Sequence, residues 1–401
     1  MDNQLLYWIW LTHRKGLGAV GLRQLLDDFG SPAAIWAADE EALARAAVLP
    51  AARETLLDKA LGPAEAVVQR CRELGITVLT LWQEAYPEAL RQVSDAPLAL
   101  YCRGQLPPVG GQPWIGVVGA RKADRRGLAT ARLLGREISA CGGVVVTGMA
   151  KGVDAEAAWG ALDQGCPVVG VLGSGVDVVY PRENAELFAR VAERGCLLSE
   201  YPPGVGPNAR HFPARNRIIS ALSDGVVVVQ AAETSGALIT ARWAADQGRD
   251  VFAVPGPAGE PLSRGCNQLL RDGAILAESG WDVMREYEFR YPQSVARAIC
   301  PPPAETGNRQ QATGNRQSLP LEGKVAAPQA LTDEVASRQP DLSGLSPIQK
   351  QIAEALLEGP LQLDTLIDKT GLPPAQVLPQ LTVLQIKKLI SQTPGKIYEL
   401  S

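Results

Sequence analysis

The feature that most restricts the fold of this sequence is a series of short apolar runs between Trp114 and Leu276, most of which end in glycine. Seven runs share this character: WIGVVG, GVVVTG, VVGVLG, CLLSE, GVVVVQA, DVFAVPG and AIL. Stretches of helical length separate most of them. Apolar strands that alternate with helices form a parallel sheet with both faces covered. We therefore predict a doubly wound α/β domain over residues 81–299.

The N-terminal segment, residues 1–80, has a different pattern. Its apolar residues recur at three- and four-residue spacing, which is typical of helices, so we expect a small all-α domain. The stretch 13–30 fits a helix-hairpin-helix, in which the Gly16-Leu17-Gly18 turn would present N–H groups to a phosphate beside Arg14 and Lys15. It fits a sterile-alpha-like (SAM-like) packing unit equally well, and the residues leave both interpretations open.

The last hundred or so residues divide into a linker and a second small domain. Residues 300–344 are rich in Pro, Gln, Gly, Ser and Thr and contain TGNRQ twice, which predicts a disordered linker. Residues 345–401 contain three helical stretches and a short strand, which predicts a winged-helix domain. The helix that would enter a major groove, Pro374–Ile390, has basic charge only late, at Lys387 and Lys388. It is better suited to a protein contact or to weak, unspecific DNA contact.

Composition limits the kinds of partner. The net charge is −4 and the pI about 5.5, so any nucleic-acid site must use local positive charge. The seven cysteines are odd in number and form no C-x-x-C pair, which indicates a reducing cytoplasm without a disulfide framework or a zinc site. No signal peptide or membrane-spanning run is apparent. We expect a soluble, cytoplasmic protein that has no contact with a membrane.

Three loops follow strands of the predicted sheet with the glycines and hydroxyls that a ligand site needs. The carboxyl ends of parallel strands meet at one edge, where helix N-termini attract anions. The loop residues in question are Gly119 and Arg121, then Ser174 and Gly175, then Ser235 and Gly236. The first of these loops lacks the pattern G-x-G-x-x-G, and G-x-x-x-x-G-K-[ST] occurs nowhere in the sequence. We therefore expect neither a dinucleotide nor a magnesium-bound triphosphate, and no cofactor.

The stretch HFPARNRIISALSDGVVVVQA places Arg215 and Arg217 close to the most apolar strand. Buried guanidinium groups are costly unless an anion meets them. The anion could be a phosphate of a ligand. Alternatively, the arginines could cap a helix and pair with carboxylates such as that of Asp224.

The motifs together resemble one family. They are GAR at Gly119, TGMAKGVDAEA at Thr147, VLGSGVDVVYP at Val171, LSEYPPG at Leu198, FPARNRIISALS at Phe212, SGALITA at Ser235 and VFAVPG at Val251. In this order they are similar to DNA-processing protein A, also called DprA or Smf. The resemblance covers roughly residues 81–276. The chain departs from the family pattern at Ala158, where a histidine is usual, and at Gln230, where a glutamate is usual.

The resemblance implies a Rossmann-like domain that binds single-stranded DNA for the RecA recombinase during natural transformation, and a homodimer formed through that domain. It implies that Arg215 and Arg217 meet phosphates and that the ring of Phe212 stacks on a base. The DNA-binding residues expected in this way are Gly119, Arg121, Lys151, Ser174, Gly175, Arg210, Phe212, Arg215, Asn216, Arg217, Ser235, Gly236 and Leu238.

An enzyme is the main alternative. Related Rossmann-like folds hydrolyse the N-glycosidic bond of nucleoside monophosphates, and they use a glutamate after a glycine-rich loop. This chain has SGALITA there, with no acidic residue before Asp246 and with Gln230 upstream. General acid or base catalysis needs a titratable group within reach of the bond. We therefore expect a protein without catalytic activity and without a metal. A scaffold without DNA contact is disfavoured by the clustered arginines.

Overall fold

The structure is a computed structural model. It describes residues 3–14, 16–46 and 50–297, and towards the C-terminus 347–357, 359, 361–372, 377, 380–381, 384, 389–393 and 397–400. The chain divides into two compact units, Met1–Thr306 and Gly307–Ser401.

A nine-stranded sheet organises the first unit. All seven predicted runs are strands, and two further strands precede them. In chain order the strands are β1 (Thr77–Thr80), β2 (Ala99–Gly104), β3 (Trp114–Val118), β4 (Val144–Thr147), β5 (Val168–Leu172), β6 (Cys196–Ser199), β7 (Gly225–Val228), β8 (Asp250–Ala253) and β9 (Ile275–Leu276). The spatial order is β1-β2-β6-β5-β4-β3-β7-β8-β9. Strands β3 to β9 are mutually parallel, whereas β2 pairs antiparallel with β1 and β6.

The strand order reverses direction between β3 and β7. From β3 the chain builds outward through β4, β5 and β6, and it then returns to the other side of β3 to add β7, β8 and β9. In such sheets a crevice opens outside the carboxyl ends of the two strands where the order reverses, and ligands bind there. The described topology is therefore the predicted doubly wound, Rossmann-like one, with its switch point between β3 and β7.

Helices cover the sheet and supply the N-terminal part of the unit. They are α1 (Asn3–Thr12), α2 (Ala19–Phe29), α3 (Pro32–Ala37), α4 (Glu40–Arg45), α5 (Pro50–Leu57), α6 (Gly62–Glu73), α7 (Glu88–Arg91), α8 (Arg125–Ala140), α9 (Val153–Asp163), α10 (Ala185–Arg194), α11 (His211–Leu222), α12 (Gly236–Asp246), α13 (Arg264–Arg271) and α14 (Gly280–Met284). Two glycines allow α8 and α9 to touch along their backbones. A Cβ at Gly135 would lie 2.1 Å from the oxygen of Ala157, and one at Gly160 would lie 2.1 Å from that of Arg132.

The N-terminal helices share a core with the sheet. Buried Trp8, Ile9 and Trp10 of α1 belong to the same hydrophobic cluster as Leu81 and Leu98. Arg14 turns inward at the end of α1: its guanidinium donates to the carbonyls of Trp10 and Thr55. In the structure, the Arg14 side chain therefore holds the N-terminal helices together and is not free to bind a phosphate beside the Gly16-Leu17-Gly18 turn.

The second unit contains helices α15 (Pro347–Leu356) and α16 (Leu363–Thr370) and a sheet of order β10-β12-β11. Its strands are Leu361–Gln362, Ile390–Thr393 and Ile397–Leu400. A small core includes Ile352, Leu366 and Tyr398. Most of the predicted groove helix and the whole predicted linker lie outside the described residues. None of the helices described in either unit combines the length and apolarity needed to cross a bilayer.

Candidate nucleic-acid interface

A cavity of about 500 Å³ opens at the switch point, and we call it the switch-point cavity. The turn after β3, the first half of α11 and the start of α12 enclose it. Its lining includes seven of the residues that the sequence predicts to bind DNA: Gly119, Arg121, Phe212, Arg215, Asn216, Ser235 and Gly236. The volume lies within the roughly 300 to 1,000 Å³ of typical ligand sites. The fold thus brings residues from all three predicted loop motifs, and four of the six residues of FPARNR, to one place.

An exposed cation and two aromatic rings stand together in this cavity. The guanidinium of Arg121 lies over the ring of Phe212, with its central carbon 5.2 Å from the ring centroid. Tyr180 also lines the cavity; its side chain is 42% exposed and its ring lies 5.5 Å from that of Phe212. Among the described residues, no carboxylate forms an ion pair with Arg121. The cavity therefore offers one free positive charge beside two ring faces.

Phe212 is placed by a close approach to the loop after β5. A Cβ at Gly173 would lie 2.9 Å from the Phe212 ring, so only glycine lets the ring settle there. The neighbouring His211 stacks on Tyr201, with ring centroids 3.9 Å apart, and its ring nitrogen meets the carbonyl of Gly173. These contacts fix the first turn of α11 and with it the orientation of the Phe212 ring.

Arg215 lines the floor of the cavity but is occupied by the protein itself. Its side chain is buried and donates to the carbonyls of Gly148, at 2.9 Å, and Val171. Burial lowers the pKa of Arg215 to about 10, while the nearby carboxylate of Asp154 opposes that shift. Arg215 therefore ties the ends of β4 and β5 to α11.

Asp154 completes this network beneath the cavity. Its carboxylate accepts the N–H of Gly148 at 3.0 Å, and the N–H groups of Gly119 and Ala150 also bond to it. Burial raises the pKa of this carboxyl group, and the charge of Arg215 and these three bonds act against the shift. The pair holds the turns after β3 and β4 in place.

Arg217 faces away from the switch-point cavity, towards two carboxylates. Its Nε lies 3.0 Å from Asp95 and its terminal nitrogen 2.8 Å from Glu200. Desolvation is the largest influence on the pKa of Arg217 and lowers it. The two carboxylates together outweigh desolvation, so the pKa of Arg217 is raised. Both arginines thus have protein partners, as the alternative interpretation anticipated, although Asp224 pairs with Arg290 instead. Their role as phosphate ligands stays a prediction, and the geometry favours it less for Arg217 than for Arg215.

Two polar residues lie at the cavity wall: Asn216 connects α11 to α12, and Ser235 caps α12. The side chain of Asn216 donates to the carbonyl of Gly236 at 3.3 Å, and the Ser235 hydroxyl accepts the N–H of Ala237 at the start of α12. Gly236 is exposed, and a Cβ there would meet nothing within 4 Å. A ligand can therefore approach the start of α12 closely.

The other predicted site residues do not line this cavity. Lys151 pairs with Glu183 on the surface, and Arg210 is exposed just before α11. Ser174 and Gly175 are buried, and the N–H of Gly175 bonds to Val205. Leu238 faces a different groove, beside α13.

Two residues that sequence reasoning missed have clear places in the site. Tyr180 is the next-to-last residue of the VLGSGVDVVYP motif, and its aromatic side chain after a glycine loop is the signal that could have found it. Asp154 lies in GVDAEA, where an acidic residue in a largely apolar stretch signals a buried structural role.

The structure also shows the local role of Gln230: its amide oxygen accepts the N–H of Asp124, and its backbone carbonyl accepts the N–H of Ala120.

Comparison with known proteins identifies the family. The model of the DNA recombination-mediator protein A family matches residues 77–288. The chain belongs to this family. A model of the DprA winged helix domain matches residues 336–396. Protein Smf of Synechocystis sp. is 31% identical over 99% of this chain and 99% of its own.

Relatives named for DNA processing share the central region. DNA processing protein DprA of Streptococcus pneumoniae is 41% identical over 52% of this chain and 74% of its own. The X-ray structure of DprA from S. pneumoniae matches with a TM-score of 0.62 at 31% identity, and the match covers 70% of this chain and 97% of that one. The recombination-mediator domain therefore spans the sheet, both arginines and the whole switch-point cavity.

The cavity has few charged side chains in its lining. Its charged groups are Arg121, Arg215 and Asp154, and the last two interact electrostatically with each other. Within the described parts of the chain, no group of three or more His, Cys, Asp or Glu residues is placed to hold a metal ion. What remains accessible is a guanidinium, two rings, a serine hydroxyl and open backbone at Gly236.

Proposed function

We propose that this recombination mediator binds single-stranded DNA at the switch-point cavity, presents it to the RecA recombinase during natural transformation, and catalyses no reaction. One observation carries the proposal: Arg121, Phe212 and Tyr180 lie side by side at the sheet edge where ligands of this topology bind. A guanidinium fork matches phosphate oxygens. Aromatic rings take unpaired bases without regard to sequence.

Single strands suit this site better than duplexes. Bases in a duplex are already stacked and paired, so their faces cannot reach a ring set inside a cavity, whereas unpaired bases can turn into it. The chain has a net charge of −4, so it lacks the broad basic field with which a duplex could bind through phosphates alone.

The direct test compares the full chain's affinity for a labelled single strand and for its duplex by fluorescence anisotropy at two salt concentrations. We expect the single strand to bind more tightly at both. Equal affinities for the two forms would contradict the proposed site.

The absence of catalysis is also open to test. The carboxylate of Asp154 is bound to three N–H groups and faces Arg215, so it lacks the freedom of a general acid or base. We expect that purified protein releases no free base from nucleoside monophosphates. Base release that disappears in an Asp154→Asn variant would establish an enzyme instead.

Two partners belong to the same proposal. The recombination-mediator family supports a recombinase as the protein to which the strand passes. The exposed Leu276 on edge strand β9, which is 48% accessible, supports a homodimer through the Rossmann-like domain. Sedimentation at increasing protein concentration tests the dimer, and RecA filament formation on protein-bound strand tests the transfer.

A further inference from the structure

A second cavity, of about 480 Å³, lies at the same sheet edge, and we call it the α8 cavity. The first turn of α8 and the chain that follows β7 and β8 form its walls. Its lining includes Asp124, Arg125, Arg126, Gly127, Thr130, Gln230, Pro255, Gly256, Glu260 and Ser263. None of these residues was among those expected to bind DNA.

The two cavities flank the same switch point. The turn between β3 and α8 separates them: Gly119 and Arg121 line the first, whereas Asp124 and the residues after it line the second. Both therefore border the crevice that β3 and β7 create. A ligand that crosses this crevice, as extended nucleotides do in doubly wound folds, passes from one cavity to the other.

Two arginines border the α8 cavity. Arg125 and Arg126 are exposed at its rim, and within the described chain neither forms an ion pair with a carboxylate. The carboxylate of Asp124, in the same lining, accepts the N–H of Gly127 at 2.8 Å and so is held at the start of α8. That bond, a bond from Gln230 and the charge of Arg126 lower the pKa of Asp124, so this carboxylate stays ionised as the helix cap.

The interior of the α8 cavity is polar without being charged throughout. It holds the hydroxyls of Thr130 and Ser263, and Glu260 is the other acidic residue that lines it. Two guanidiniums at the rim and hydroxyls inside suit a phosphate with its attached sugar. The lining also carries the carboxylates of Asp124 and Glu260, so the positive charge is local to the two arginines, and the groups inside are too polar for an apolar ligand.

We propose that the α8 cavity is a second nucleotide subsite, in which Arg125 and Arg126 hold phosphates of the strand that Arg121 and the two rings hold in the switch-point cavity. This inference rests on the proposed function. It makes the bound strand longer than one cavity can accommodate and fixes its path over the turn after β3.

The test uses the full chain and oligothymidylates of about 4 and about 12 nucleotides, the range of known single-strand site sizes. In the double variant Arg125→Ala/Arg126→Ala, the plot of log affinity against log salt for the longer strand should flatten by about 1.4, which is two phosphates at about 0.7 each. The short strand, held in the switch-point cavity, should bind as in the parent. Alanine is favourable in a first helical turn and the Asp124 cap remains, so α8 should stay intact.

A matched control removes the same charge elsewhere. Arg72 and Arg194 are exposed and lie outside both cavities. The double variant Arg72→Ala/Arg194→Ala should keep the parent slope for both strands. If the Arg125→Ala/Arg126→Ala variant matches this control on the longer strand, the second subsite is overturned. Failure of the parent itself to bind either strand would instead overturn the proposed function.

Discussion

Arg121 and Arg215 line the same cavity but use their charges differently. Arg215 is 4% exposed and donates to two carbonyls near the carboxylate of Asp154, whereas Arg121 is exposed and lies over the ring of Phe212. When a phosphate enters the cavity, the charge of Arg215 is already balanced by protein groups, whereas the charge of Arg121 is available to bind the phosphate. Binding and architecture are thus divided between two residues of the same type.

Removal of a ring from the cavity should weaken binding without changing its salt dependence. We predict that Phe212→Ala and Tyr180→Ala each cost about 1 to 3 kcal/mol of affinity for single-stranded DNA, the value of one stacked base. The salt slope should stay that of the parent, since no phosphate contact is lost. Anisotropy titrations over a salt series measure both quantities.

Tyr180→Phe serves as the matched control for this prediction, because it keeps the ring and removes only the hydroxyl. It should bind as the parent does. Should Tyr180→Ala also retain full affinity, Tyr180 is no stacking platform.

Loss of Arg217 should act on stability. Its guanidinium joins α11 to Asp95 and Glu200, and its side chain is only 9% exposed. Removing one member of a buried ion pair leaves the other uncompensated, at a cost of about 3 kcal/mol. We therefore predict that Arg217→Ala lowers the free energy of unfolding in urea by that amount. A variant as stable as the parent, but with a flatter salt slope, would restore Arg217 as a phosphate ligand.

For single residues, the sequence predicts which side chains are buried and charged better than it predicts the groups that pair with them. It marks Arg215 and Arg217 as buried cations that need anions. It does not reveal that the anions are Asp154, Glu200 and Asp95, because these lie in other loops and only the folded sheet brings them near. The aromatic residue of FPARNR was identified from its motif, while Tyr180 required the three-dimensional neighbourhood.

At the scale of elements, the start of α8 links stability to the binding edge. Asp124 caps the helix through the N–H of Gly127, and the same helix carries Arg125 and Arg126. We predict that Asp124→Ala lowers the free energy of unfolding by about 1 kcal/mol, whereas Asp124→Asn retains most of it, because asparagine is an equally good cap. Thermal or urea unfolding distinguishes the two. Equal losses in both variants would mean that charge, and not the cap bond, is the important property.

The sequence predicts the parallel strands because their apolar runs are continuous and most of them end in glycine. It missed β1 and β2, whose segments TVLT and ALYCRG carry polar residues and do not follow that pattern. Both lie at one side of the sheet, where β2 pairs antiparallel with β1 and β6. Most of the predicted groove helix falls on residues outside those described, and its assignment stays a prediction.

At the scale of the whole molecule, the N-terminal helices and the sheet meet around His13. This side chain shares a cavity with Asp95, Glu200 and Arg217. Burial, and then the charge of neighbouring Arg14, lower the pKa of His13 below 6.5. At a pH between the lowered pKa and 6.5, His13 therefore binds a proton in the unfolded chain but stays neutral in the folded chain.

It follows that acid should weaken the protein through His13. Where the unfolded state binds more protons, the free energy of unfolding rises with pH, so it should fall as the pH drops from about 7.5 to about 5.5. We predict a smaller fall in His13→Gln, which cannot take up the proton. Urea unfolding at several pH values gives both curves, and identical pH dependence in parent and variant would refute the assignment to His13.

The central claim is that single-stranded DNA binds at the switch point through the free charge of Arg121. The most direct measurement is the salt dependence of single-strand affinity for the parent, for Arg121→Ala and for the remote control Arg72→Ala. If Arg121 neutralises one phosphate, its removal should flatten the plot of log affinity against log salt by about 0.7. Arg72→Ala should keep the parent slope. A folded Arg121→Ala protein with the slope of the parent would contradict the claim.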